Sequence, residues 1–225
     1  MNSNRMKFVR SLPRLGYLLT PVLVFGALAA CTNLERSRDT SNPNVSGRTL
    51  AQQVCSNCHG VTGSSISPNF PNLAGQQVSY IEAQLTGFRS HRRRDPAGFQ
   101  YMWGLSRDLT DKQINELAEY YAQQTPIPHA AEALPEQVQA GQRLFTQGLP
   151  DRQVIACVAC HGEHAQGNGA MPRLAGQHAD YVIKQLKVFQ RGDERPEGAV
   201  MTTIAHGLSE SDIDNVAAYV ESLQN

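Results

Sequence analysis

The sequence predicts an all-α chain in which one small helical domain is written twice. Three observations predict it. The stretch after residue 46 repeats itself at an offset that drifts only from 102 to 99 positions. Each copy closes on apolar residues at helical spacing, and no segment alternates in the period-two manner of a half-buried strand. With 40% hydrophobic and 18% charged residues among 225, the chain can build a core, which excludes wholesale disorder. A formal net charge of zero gives no general reason to expect a nucleic-acid partner.

The elements follow in chain order. Residues 1–30 carry Arg5, Lys7, Arg10 and Arg14, no acidic residue, and an apolar stretch from Leu15 to Ala30. This is the layout of a signal peptide. The alternative is a permanent anchor, but Gly16, Pro21 and Gly26 interrupt it and no apolar run reaches the roughly 20 residues of a spanning helix. The stretch ends Leu28-Ala29-Ala30-Cys31, which resembles a bacterial lipobox and implies a lipidated Cys31. Residues 31–46 are polar and aperiodic and read as a flexible tether.

The first domain spans 47–125, a proline-broken linker 126–134, and the second domain 135–225. Cys55-Ser56-Asn57-Cys58-His59-Gly60 recurs as Cys157-Val158-Ala159-Cys160-His161-Gly162. Pro71-Asn72-Leu73-Ala74-Gly75-Gln76 recurs as Pro172-Arg173-Leu174-Ala175-Gly176-Gln177. Tyr80, Gln84, Leu85 and Phe88 recur as Tyr181, Gln185, Leu186 and Phe189. Gly47 precedes Cys55 by eight residues whereas Gly141 precedes Cys157 by sixteen, so the second copy should carry an extra loop near Gly148–Arg152. Ile114, Leu117, Ala118 and Tyr121 form one apolar helical stripe, and Ile213, Val216, Ala217 and Val220 its counterpart. Thr110 with Gln113 reads as a capping box, and Ser209 as an N-cap. Domains of this size hold small cores, which a large covalently held apolar cofactor could complete.

Cys-x-x-Cys-His is the attachment signature of c-type haem, and it appears twice at matching positions. Cys55 and Cys58, and Cys157 and Cys160, would add across the haem vinyl groups. The adjoining His59 and His161 would then lie beneath the iron. Two haem c groups are therefore expected, attached outside the cytoplasm, in agreement with the leader. Three alternatives compete. A Cys₄ zinc site would need the two pairs together in space, a thioredoxin-like redox pair would need a βαβ pattern, and local disulfides would leave both histidines unexplained. For the opposite axial position, Met102 and Met201 align in the repeat, each seven residues before a leucine that precedes the closing helix. A Met ligand raises the reduction potential and closes the iron to substrate. Met171 aligns with Phe70 and reads as core packing. His91, His129, His164, His178 and His206 have no histidine counterparts and read as surface or structural.

At this point the chain resembles tandem class I cytochromes c, and closely the dihaem cytochrome c-four group, over about residues 47–225. The resemblance implies two cytochrome c folds related by a pseudo-twofold axis, His/Met ligation, and a high-potential electron carrier serving terminal oxidases. It also implies that the carbonyls of Pro71 and Pro172 accept from the axial histidines. The lipobox departs from the freely soluble form expected of that group.

The function expected is electron transfer rather than enzymatic catalysis. The donor would be a quinol-oxidising complex or another protein, and the acceptor a terminal oxidase or another protein. The setting would be periplasmic, with membrane attachment through Cys31 and no nucleic acid. The alternatives are an electron-transfer subunit of a larger complex, or a dihaem enzyme such as a peroxidase or a sulfur-compound dehydrogenase. The copies differ in charge: residues 47–125 carry 7 basic and 6 acidic side chains, residues 135–225 carry 7 and 11. Arg92-Arg93-Arg94 reads as a solvated cluster, with partner steering as the sharper alternative.

Overall fold

A computed structural model describes residues 36–128, 133–192 and 194–223. The leader, Cys31 with its expected lipid, and His129 lie outside the described residues. In the first copy the Ser46 side chain accepts from Thr49 N–H and opens α1 (Gly47–Leu50). The chain continues through a π-helical turn, Ala51–Cys55, into α2 (Ser56–His59). Next comes α3 (Val78–Arg89), whose Ile81 and Phe88 are buried as the apolar spacing predicts. A second π-helical turn, Gly98–Met102, leads into α4 (Trp103–Ser106). The closing helix α5 (Asp111–Ala122) starts at the expected capping box between Thr110 and Gln113.

The second copy opens on α6 (Pro135–Gln147), with proline at the first helical turn where its missing N–H costs nothing. The extra residues form a tight turn with a 3₁₀ segment, Pro150–Arg152, closed by a bridge between Leu149 and Val154. Then follow α7 (Val158–His161), α8 (Ala179–Arg191), α9 (Ala199–His206) and α10 (Glu210–Ser222). Ser209 caps α10, and Asp212 returns the reciprocal bond. Among the described residues there is no strand, only two isolated bridges.

Within each copy the opening helix crosses the closing one at a glycine. A Cβ on Gly47 would strike Glu116, Gln113 and Leu117, and one on Gly141 would strike Asn215 and Tyr219. Backbone contact this close is open only to a residue without a side chain. Around these crossings lie two apolar clusters. Leu50, Leu109, Ile114 and Leu117 centre the first; Phe145, Ile213, Val216 and Val220 centre the second. Burying a side chain such as Phe145 contributes about 1.5–3 kcal/mol. Two expectations are corrected here. Met171 is exposed rather than core, because it sits in a turn bridged to Asn168 and not on a helix face. The run Arg92–Arg94 is not wholly solvated: Arg93 is buried. Its guanidinium bonds to Asp95 at 2.7 Å, Gln84 at 2.7 Å and Gln185 at 3.2 Å, and stacks over Phe88.

That arginine belongs to a seam between the copies. Arg195 reaches across to Gln84 and Tyr80, bonds Gln185 at 2.6 Å in its own copy, and stacks over Phe189. The second half of the seam joins the two Pro-x-Leu-Ala-Gly-Gln stretches, with reciprocal bonds about a pseudo-twofold axis. The Gln76 amide pairs with both backbone groups of Arg173, and the Gln177 amide with both of Asn72. Gln77 donates to Gln166 O, and His178 Nε2 donates to Ser65 O, at equivalent positions.

Candidate haem sites

Each candidate site is built on a short helix that ends at a histidine. Cys55 and Cys157 cap α2 and α7, and the Cys-x-x-Cys spacing places the two thiols of each pair one turn apart, with the imidazole following. Gly60 and Gly162 stop the helices in conformations of positive φ, 73° and 84°, turning the chain away directly after the histidine. His59 and His161 are buried, 7% and 6% exposed. The Nδ1–H of His59 donates to Pro71 O at 3.0 Å, and that of His161 to Pro172 O at 3.0 Å. A carbonyl can only accept, so this bond assigns the proton to Nδ1 and leaves Nε2 as the ring's ligand nitrogen. Burial lowers both histidine pKa values, with the prolyl carbonyl opposing the shift, so each ring is held in the neutral form that binds metal.

The four thiols are partly buried and none is in a disulfide. Burial pushes Cys55 and Cys157 up to about 11 each. A thioredoxin-like pair works through a thiol depressed toward neutrality, and burial moves these two thiols the other way. Nor do the described residues gather three or more His, Cys, Asp or Glu side chains into a metal-binding group, as a Cys₄ zinc site would need.

The two methionines sit in different local structures. Met201 lies on α9 and packs against the same apolar cluster as Cys157 and Leu174. Met102 is the last residue of its π-helical turn and is half-buried. Its neighbour Tyr101 meets Phe70 edge-on at 6.3 Å, and Phe70 in turn meets the His59 ring at 6.3 Å. Each copy offers paired thiols and an imidazole with one nitrogen committed and one free to bind. That set fits a covalently attached haem and fits a zinc site poorly. Of the other histidines, His91 is on the surface against Trp103, at 4.3 Å between ring centroids, and His178 is buried in the seam. His206 is exposed and bonds Thr202 O. Two residues beside these sites were not singled out from sequence: Gln76 and Gln177. The only signal they gave was membership in the repeated stretch after each proline.

The family model described as "Cytochrome c" matches residues 45–125 and again 138–224. A cytochrome c-552 from Acidithiobacillus ferridurans is 39% identical over 170 residues, which is 75% of this chain and 73% of that one. A thiosulfate dehydrogenase electron acceptor from Stutzerimonas stutzeri is 42% identical over 177 residues, 77% and 80% of the two chains. The solved structure of Acidithiobacillus ferrooxidans cytochrome c4 superimposes with a TM-score of 0.69 at 39% identity, over 75% of this chain and 98% of that one.

Proposed function

Since the chain belongs to the cytochrome c family, as a two-domain electron-transfer protein of the cytochrome c4 kind with two haem c groups, we propose how its residues hold them. Cys55 and Cys58 form the thioether links in a first domain, residues 47–125, and Cys157 and Cys160 those in a second, 135–225, joined by linker 126–134. His59 with Met102, and His161 with Met201, are the axial pairs. One observation carries this reading: both histidines are buried with Nδ1 tied at 3.0 Å to the carbonyl of an equivalent proline. Each bound haem supplies a one-electron Fe(III)/Fe(II) couple.

The chain's own work is to fix and to shield. The prolyl carbonyls hold the imidazoles in one tautomer and one orientation, so the same ring nitrogen would face the iron in both oxidation states. The methionine sulfurs are weak donors that favour Fe(II), so both potentials are set high. The test is the long-wavelength absorption band of Met-ligated ferric haem in Met102→Ala and in Met201→Ala. Each variant should lose half of the band. An undiminished band in either would remove that methionine from the axial pair.

The setting is proposed as periplasmic, with the chain tethered by a lipid on Cys31. Among the described residues no helix is long and apolar enough to cross a membrane. Mass spectrometry of the mature N-terminus tests the tether, and a free Cys31 thiol would refute it. The donor is proposed to be a quinol-oxidising complex and the acceptor a terminal oxidase. A relative named as the electron acceptor of thiosulfate dehydrogenase supports a second class of donor, an enzyme oxidising a sulfur compound. Stopped-flow reduction by the two donor types separates these readings.

A further inference from the structure

Each peptide unit that holds a proposed axial histidine is itself held from the other domain. The carbonyl of Pro71 accepts from His59 Nδ1–H at 3.0 Å. The N–H at the far end of that same peptide unit, on Asn72, donates to Gln177 Oε1 at 2.8 Å. In the second domain, Pro172 O accepts from His161 Nδ1–H at 3.0 Å, and Arg173 N–H donates to Gln76 Oε1 at 2.8 Å. Each glutamine also donates through Nε2 to the next carbonyl, Gln177 to Asn72 O at 2.9 Å and Gln76 to Arg173 O at 3.0 Å. This pairing fixes the amide orientation, because the flipped amide would set donor against donor and acceptor against acceptor. Both glutamines are buried, 5% and 6% exposed, so water does not compete for these bonds.

We infer that Gln177 is a positioning residue for the first domain's haem and Gln76 for the second's, each acting in trans through one peptide unit on the other domain's axial histidine. The physical reason is cooperative polarisation. An amide whose N–H donates to a good acceptor carries more negative charge on its own oxygen, and in a buried, low-dielectric chain each bond strengthens the next. A stronger acceptor at Nδ1–H makes the imidazole a better donor to iron and favours Fe(III). Each glutamine therefore lowers the potential of the haem in the domain it does not belong to. The same reciprocal clamp makes the relative placement of the domains part of the ligand environment of both irons.

This inference rests on the proposed axial roles of His59 and His161, and the two can fail separately. The experiment is a spectroelectrochemical titration of the full dihaem protein carrying Gln177→Leu or Gln76→Leu. Each is repeated in a Met201→His background, where the second haem is driven to low potential and the remaining high-potential wave belongs to the first. Gln177→Leu should raise the first haem's potential and leave the second's in place; Gln76→Leu should do the reverse. The expected size is a several-fold change in the oxidised-to-reduced ratio, below the tenfold that corresponds to about 59 mV for one electron. Equal shifts on both haems, a shift on the haem of the mutated domain, or no shift would overturn the relay.

Gln177→Glu guards against a merely loosened seam. Its side chain loses the bond to Asn72 O but, as a carboxylate, accepts more strongly from Asn72 N–H, so the first haem's potential should move down, by more than the second's, opposite to the leucine variant. A seam that simply opened would move both variants the same way, which also overturns the inference. If His59→Ala kept the low-spin spectrum of the first haem, the axial reading itself would fall. If that spectrum is lost while the glutamine variants leave the potentials alone, the relay falls and the axial reading stands.

Discussion

The two copies present one donor set on two different backbones. In the first, nine residues of continuous helix, one turn of it π-helical, carry the chain from Gly47 to Cys55. In the second, a 13-residue helix and a bridged turn cover the same step. Met102 ends a π-helical turn, whereas Met201 lies on a regular eight-residue helix. What stays equal is what holds the proposed ligands, directly or through one peptide unit: the Cys-x-x-Cys-His turn, the glycine that stops it, the prolyl carbonyl, and the glutamine from the opposite copy. The difference teaches that the site is specified by these few fixed groups, while the helices feeding it need only deliver them.

The largest test of this comparison removes one haem at a time. With Cys55→Ser and Cys58→Ser, the first domain should lose its helical fold, because α1 is four residues long and its cluster is the smaller. The second domain, given Cys157→Ser and Cys160→Ser, should keep most of its helicity, because α6 alone buries Leu144 and Phe145 against α10. Circular dichroism with haem quantification checks this, and equal losses would break the comparison.

Next in size is the seam. Asp95→Ala leaves buried Arg93 without its carboxylate and should cost about 3–5 kcal/mol in denaturant unfolding. Burial alone would push the Asp95 carboxyl up, but the Arg93 guanidinium beside it more than offsets this and holds it below the ordinary value. A depressed native pKa means that the contribution is present above the unfolded pKa of about 3.9 and is lost as pH falls through the native value. Wild-type stability should therefore drop below about pH 4 more steeply than that of Asp95→Asn.

Smaller effects separate the two helix crossings. Gly141→Ala should cost about 3 kcal/mol and Gly47→Ala about 2, because a Cβ at 141 overlaps the Asn215 backbone of α10 more deeply than one at 47 overlaps the Gln113 and Leu117 backbone, met at 2.8 Å. Equal costs in urea melts would show the crossings to be equivalent. The smallest changes are at the caps. Thr110→Ala and Ser209→Ala should each cost about 1 kcal/mol, matched between domains because both are complete capping boxes. A mismatch would mean that one closing helix depends on its cap more than the other.

Much of the fold was legible because its signals are local. A capping box needs four residues, an apolar stripe eight, and a Cys-x-x-Cys-His turn five, so Thr110, Ile114, His59 and His161 could be placed from spacing alone. Met171 was misread as core because alignment with Phe70 says nothing about which way a turn faces. Arg93 was misread as solvated because part of what satisfies its guanidinium sits elsewhere in the chain: Asp95 is two residues away, but the accepting oxygens of Gln84 and Gln185 come from two helices.

The sequence by itself determined that the chain is a duplicated helical protein with two haem-attachment turns, since covalent chemistry and helix periodicity are written over a few neighbouring residues. Only the tertiary structure decided what the duplicated stretches do for each other. Gln76 and Asn72 are four residues apart in one stretch, yet each bonds to the other copy about 100 residues away. The physical reason is that a buried amide must find its partner in three dimensions. Which peptide it meets depends on how two domains pack, and no local spacing records that.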